Sequence, residues 1–247
     1  MKVTIAPDRE ALGRAAATQI ASLLRERLAG QDPVRVIFAA APSQSETLAH
    51  LVATPDLDWS RIEAFHMDEY LGLPLDHPAR FAAWLDRNLF TLVPFRAVHR
   101  IQPEPDPNRC VAEYARLLGE APIDLVVCGI GANGHIAFND PAVADFADPL
   151  AVKIVELDDV CRQQQVDDDC FATLPDVPTH AITVTIPQFM RAATVVCVVP
   201  GSLKEAAVTA ALTGPVTPMC PASILTTHPH CYFFLDEEAG ANVTPST

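Results

Sequence analysis

His135 stands five residues before Asp140 in the stretch Asp-Leu-Val-Val-Cys-Gly-Ile-Gly-Ala-Asn-Gly-His-Ile-Ala-Phe-Asn-Asp-Pro, residues 124–141. An imidazole titrates near neutrality, and a carboxylate beside it fixes its tautomer and lets it move protons. Gly129, Gly131 and Gly134 precede it, close enough together to turn the backbone sharply and to expose N–H groups to a ligand. The same residues would also make an ordinary glycine-rich turn whose polar groups cap a helix.

Three further clusters have chemical content. Asp68, Glu69 and Tyr70 follow the run 61–67, with Gly72 and Pro74 beyond. Ligands in open α/β sheets gather at the carboxyl ends of strands, so carboxylates there are candidates for catalysis or binding. Glu69 suits a helix cap or a solvated position equally well. Ser43, Gln44 and Ser45 lie between the apolar run 34–40 and a short helical pattern ending at Leu51. A strand, a small polar turn and a helix N-terminus form an anion site, although a serine cap has the same pattern. Gly201, Ser202 and Lys204 open another helix after the apolar run 194–200, an arrangement that suits phosphate and also a solvated lysine.

The elements that must position these groups alternate. The spacing predicts a strand over 3–6 and a helix capped by Asp8, running to about Leu28 with Leu12, Ala16, Ile20 and Leu24 on one face. Buried strands follow at 34–40 and 61–67, then a helix from Pro78 to about Phe90 and another over 108–118. The run 125–130 is a strand buried on both faces. Val152–Leu157 is a further strand candidate, and 158–169 reads as a helix or a lid loop. His180–Ile186 is a strand ending at Pro187, 194–200 is another, and a helix continues through Leu212. A short helix over 223–225 and a strand over 231–235 follow. This order implies an α/β fold: a doubly wound, mostly parallel sheet with helices on both faces, Rossmann-like, in a single domain spanning 1–247. The polar stretch from about 239 to 247 reads as a mobile tail.

Composition narrows the function. A net charge of −14 argues against a nucleic-acid partner, yet a few placed cations and N–H groups suffice for one phosphate. The apolar runs are too short to span a bilayer, and the N-terminus has no signal-peptide apolar region, which points to the cytoplasm. Seven scattered cysteines without a Cys-x-x-Cys pair read as buried free thiols rather than disulfides or a metal site.

The run His66-Met-Asp-Glu-Tyr-Leu-Gly-Leu-Pro74 with His77-Pro78, and the run Gly129 to Pro141, resemble two signatures of the glucosamine-6-phosphate deaminase (isomerase) family. The likeness extends in order from the strand at Val34 to that at Cys231. Related 6-phosphogluconolactonases carry a Trp-Gly-Asp-Glu-Arg type sequence where this chain has Met67-Asp68-Glu69-Tyr70, which favours the deaminase branch. The resemblance implies an aldose–ketose isomerisation of an amino-sugar phosphate with release of ammonia, without cofactor or metal. His135 would help open the sugar ring, Asp68 would move a proton from C2 to C1, and Asp140 would orient His135. Glycine N–H groups at Gly131 and Gly134, the Ser43–Ser45 turn, Glu69 and Lys204 would bind the substrate, a small sugar phosphate. A lactonase-like hydrolase and a non-catalytic sugar-phosphate binder are the alternative readings. Homo-oligomerisation is left open.

The chain departs from the family pattern at several positions. Asn133 replaces an aspartate, and Asp140 replaces a glutamate. Ala41-Pro42-Ser43-Gln44-Ser45 replaces a turn with adjacent glycines. The family's phosphate-binding arginine aligns with Gln165, while Arg162 stands one helical turn away. The basic, hydroxyl-rich strip of allosteric members has no counterpart in 142–152, where only the neighbouring Lys153 is cationic.

Overall fold

The uninterrupted apolar runs form one sheet, because strands covered on both faces need no polar alternation. The computed structural model describes residues 1–245. It begins with β1 (Lys2–Ala6), α1 (Arg9–Gly30), β2 (Val34–Phe38), α2 (Ser45–Val52), β3 (Ile62–His66) and β4 (Asp68–Tyr70). Next come α3 (Phe81–Leu85), β5 (Ala97–His99), α4 (Pro107–Gly119), β6 (Leu125–Cys128), β7 (Val152–Glu156) and α5 (Asp159–Asp167). The last elements are β8 (His180–Val184), α6 (Ile186–Met190), β9 (Thr194–Val199), α7 (Glu205–Thr213) and β10 (Cys231–Asp236).

The main sheet has seven strands in the order β1-β10-β9-β6-β2-β3-β5, and every neighbouring pair is parallel. Side-chain alternation sorts its residues between two cores. Val36, Phe38, Val127 and Val198 pack with Ile20 and Leu24 of α1 and with Leu48 and Leu51 of α2. Ile37, Val126, Cys197 and Val199 pack on the opposite face with Leu118 of α4 and Val208 of α7. Helices therefore cover both faces, as the α/β reading expected. Asp8 caps α1 by accepting from Ala11 N at 2.7 Å, and all seven cysteines are free.

β6 is the middle strand, between β2 and β9. The turns after these three strands are consequently neighbours at the carboxyl edge of the sheet, where ligands bind in such folds. Gln44 Nε2 donates to Val198 O at 3.1 Å, tying the turn after β2 to β9.

Several elements differ from the sequence reading. Asp68–Tyr70 leaves the main sheet and forms a second, three-stranded antiparallel sheet with β8 and β7. The expected strands over 152–157 and 180–186 belong to this small sheet. The expected helix over 78–90 begins at Phe81 and opens into a π-helical turn over Asp86–Phe90. Ile186 and Pro187 start α6 instead of ending a strand, because proline is preset for a first helical turn. In the stretch read as a tail, Ala239 is buried and its N–H donates to Asp236 Oδ1; residues 246–247 lie outside the described residues.

Candidate active site

A cavity of about 610 Å³ opens at the carboxyl edge of the main sheet. Its wall includes Asp68 and His135, together with Ser43, Gln44, Gly131 and Lys204. Gln165 and Gln164 from α5 close another side.

The turn after β6 is built around His135. Gly131 N donates to His135 O at 2.9 Å, and Gly134 adopts φ +84. A Cβ on Gly131 would fall 2.1 Å from His135 Cε1, so only glycine leaves room for the ring. His135 Nδ1 lies 2.8 Å from Asn133 Oδ1 and 2.9 Å from Asp140 Oδ1. Two oxygen acceptors around Nδ1 put the proton on that nitrogen and leave Nε2 free to act. Asn133 Oδ1 also accepts from His135 N at 3.0 Å, while its Nδ2 faces the Asp140 and Asp158 carboxylates. Burial opposes ionisation of Asp140, but hydrogen bonds from His135 and Asn133 outweigh it and hold this carboxyl below its usual range.

Asp68 is 6 % exposed at the start of β4. It pairs in register with Thr183 of β8, whose Oγ1 accepts from Phe138 N at 3.1 Å. The acid-bearing strand and the histidine-bearing turn are thus fixed to one strand. Burial, reinforced by the neighbouring Glu69 charge, holds the Asp68 carboxyl well above the usual range. That makes it a stronger base once ionised.

Glu69 does not line the cavity, contrary to its assignment as a substrate ligand. Its side chain alternates to the other face of β4, where it accepts from Phe81 N and Ala82 N at the start of α3 and from Tyr70 N. Arg80 lies 3.5 Å away, so the carboxylate caps a helix and neutralises a buried guanidinium. Arg162, expected at the phosphate, instead bonds Asp159, Leu174 O and Val177 O and does not line the cavity. Ser45 and Gly134 are absent from the lining as well, because Ser45 is in the first turn of α2 and Gly134 packs on Cys220. Gln165 does line it, with its Oε1 accepting from Tyr70 Oη at 2.7 Å.

Lys204 lines the cavity at 8 % exposure, and among the described residues no carboxylate lies within 4.0 Å of its ammonium. Burial pulls its pKa down, partly offset by Asp168. Asp158 and Cys161 also belong to the surroundings of the His135–Asp140 pair, Asp158 through Asn133 and Cys161 beside both residues. Asp158 accepts from Cys161 N as the α5 cap, a role legible from its place before a helical segment. His135, Asp140 and Cys161 offer one nitrogen, one oxygen and one sulfur within 4.8 Å of one another, a donor set that zinc accepts. His135 and Asp140 are already committed to each other there.

Fold and site together define an open α/β protein whose ligand cavity carries a histidine–carboxylate pair, a separate basic carboxylate and a buried cation. The family described as glucosamine-6-phosphate isomerases/6-phosphogluconolactonase matches residues 7–154, and the chain belongs to it. A glucosamine-6-phosphate deaminase from an Exiguobacterium species is 34% identical over 226 residues, covering 91% of this chain and 87% of that one. Another, from Cutibacterium acnes, is 32% identical and covers 99% of this chain and 93% of its own. A solved monomeric glucosamine-6-phosphate deaminase superposes with a TM-score of 0.89 at 25% identity, covering 98% and 99% of the two chains. The 6-phosphogluconolactonase of Thermotoga maritima shares the fold, with a TM-score of 0.78 at 19% identity and coverage of 95% and 99%.

Proposed function

We propose that the chain is a glucosamine-6-phosphate deaminase, converting glucosamine 6-phosphate and water to fructose 6-phosphate and ammonia. The observation that carries this reading is Asp68, a buried carboxylate of raised basicity on the wall of the cavity that also holds the His135 ring. The curated relatives that cover nine-tenths of the chain bear the same activity.

The chemistry follows from the groups present. Nε2 of His135 relays a proton between the anomeric hydroxyl and the ring oxygen, opening the sugar. Asp140 and Asn133 keep Nδ1 protonated and stabilise the imidazolium that forms meanwhile. Opening exposes an aldehyde at C1, which acidifies C2–H. Asp68 takes that proton and returns it to C1, while O1 gains a proton and the C2 amine loses one, leaving C1 as a hydroxymethyl group and the C2 nitrogen as an imine. Water adds to the imine carbon and ammonia departs, so the ketose forms without a net proton or electron change. A positioned base contributes about 10²–10⁴-fold to such a transfer. Lys204, Ser43 and the N–H groups of the neighbouring turns hold the phosphate.

The seven free thiols suit a reducing compartment, which we take to be the cytoplasm. No helix among the described residues is long and apolar enough to cross a membrane. A coupled assay for fructose 6-phosphate tests the activity. Product should form with the unmodified chain and deuterium from heavy water should enter at C1; absence of product would refute the reading.

A further inference from the structure

The phosphate grip expected from the sequence is one cation short, because Arg162 is tied to backbone carbonyls and Gln165 is neutral. Among the described residues the buried Lys204 ammonium has no carboxylate in salt-bridge contact, and the more distant Asp168 compensates it only in part, so its environment accepts an anion. Besides Lys204, the cavity wall carries two strong cations, Arg9 and Arg87. Arg87 belongs to the α3 side, where it donates to Pro78 O at 2.8 Å.

Arg9 is placed at the Ser43 turn by helix packing. A Cβ on Gly13 would meet Glu46 Cβ at 2.6 Å, so α1 crosses α2 there with no side chain between the backbones. Arg9 lies one helical turn before Gly13 on the same face and reaches over the start of α2. Its Nε donates to Glu46 Oε1 at 2.6 Å and one Nη donates to Pro42 O. A guanidinium has five N–H donors, so this anchoring leaves part of its fork available. Ser43 is prepared in a complementary way. Gln44 Nε2 donates to Ser43 Oγ at 3.2 Å, which leaves the hydroxyl hydrogen to donate elsewhere.

We infer that Arg9 is the second cation of a phosphate-ester site shared with Lys204 and Ser43, replacing the arginine expected from the 162–165 segment. This rests on the sugar-phosphate reading of the cavity. Glu46 and Pro42 O hold the guanidinium in place against the turn, so it binds as a preorganised fork. A phosphate dianion then meets one buried ammonium and one partly exposed guanidinium.

Inorganic phosphate is the probe, with binding measured calorimetrically and competition measured in turnover. Arg9→Ala should raise the dissociation constant for phosphate about 10–100-fold, the scale of one charged hydrogen-bonding partner, and raise KM far more than it lowers kcat. Arg9→Lys should recover part of the loss. Glu46→Gln keeps a side-chain oxygen to accept from Arg9 Nε and removes the competing negative charge, so it should bind phosphate at least as tightly as the unmodified chain. Equal losses in Arg9→Ala and Glu46→Gln would show that the pair only braces α1 on α2 and would overturn the inference. Unchanged phosphate affinity in a folded Arg9→Ala variant would overturn it too. Phosphate binding is read without turnover. A chain that binds phosphate through Arg9 yet releases no ammonia would therefore refute the deaminase reading while upholding Arg9.

Discussion

The side-chain amide of Asn133 donates to Asp158 Oδ2 across 3.1 Å, fastening the turn that carries His135 to the N-cap of α5. The same nitrogen lies 3.0 Å from Asp140 Oδ1. An aspartate here would set a third carboxylate between two others, with no donor to hold them together. Asparagine suits this position because it presents an acceptor to His135 and a donor to the acids.

Asn133→Asp should therefore lose about 1–3 kcal/mol of stability, the cost of an unmade buried hydrogen bond. The loss should deepen as pH rises through the carboxylate range, since like charge favours the protonated acids that exist only at lower pH. Adding Asp158→Asn returns a donor to the cluster and should recover part of both stability and kcat/KM. Thermal unfolding of the single and double variants measures this coupling. Additive effects would mean that the contact is incidental.

Asp68→Asn should leave the unfolding temperature nearly unchanged or slightly raised, because it removes a buried charge beside Glu69. Turnover should fall on the order of 10²-fold or more. In the unmodified chain the base must be ionised, and its pKa is held above the ordinary range. The kcat/KM profile should accordingly decline on the acid side at a pH above that of an ordinary aspartate. A flat profile down to pH 4 would remove Asp68 from the role of base.

Much of this was legible in the chain because the relevant signals are local. Continuous apolar runs predicted the buried strands, and the glycines around His135 predicted a turn that seats the ring. The misreadings arose where long-range pairing decides. Asp68–Tyr70 looks like the end of a strand, and only its pairing with Thr183–Ala181 draws it into another sheet. That move points Asp68 toward the cavity wall and Glu69 toward α3. Arg162 has the right charge, but carbonyls at Leu174 and Val177 claim it, and no spacing rule reveals them. Arg9 escaped notice because its place depends on how closely Gly13 lets two helices approach.

Lys204→Ala should weaken binding of a sugar phosphate by about 1.5–3 kcal/mol, the scale of a charged hydrogen bond, and leave binding of the unphosphorylated sugar unchanged. Titration of both ligands against both proteins is the check. Equal loss for the two ligands would make the lysine a structural group.

Lys153, the cation just beyond residues 142–152, is already engaged, with its ammonium 2.8 Å from Asp148 Oδ2 and 2.7 Å from Val143 O. Without a free cation there, substrate saturation should be hyperbolic and N-acetylglucosamine 6-phosphate should not activate. A sigmoidal curve made hyperbolic by that compound would contradict this.

The Asp68 and His135 cavity is proposed to isomerise and deaminate an amino-sugar phosphate. The most direct measurement follows ammonia and ketose phosphate together, with glucosamine 6-phosphate and 6-phosphogluconolactone offered separately. Equimolar ammonia and fructose 6-phosphate should form from the amino sugar and be abolished in Asp68→Asn, with no lactone consumption above the buffer rate. Lactone hydrolysis without any ammonia release from the amino sugar would contradict it.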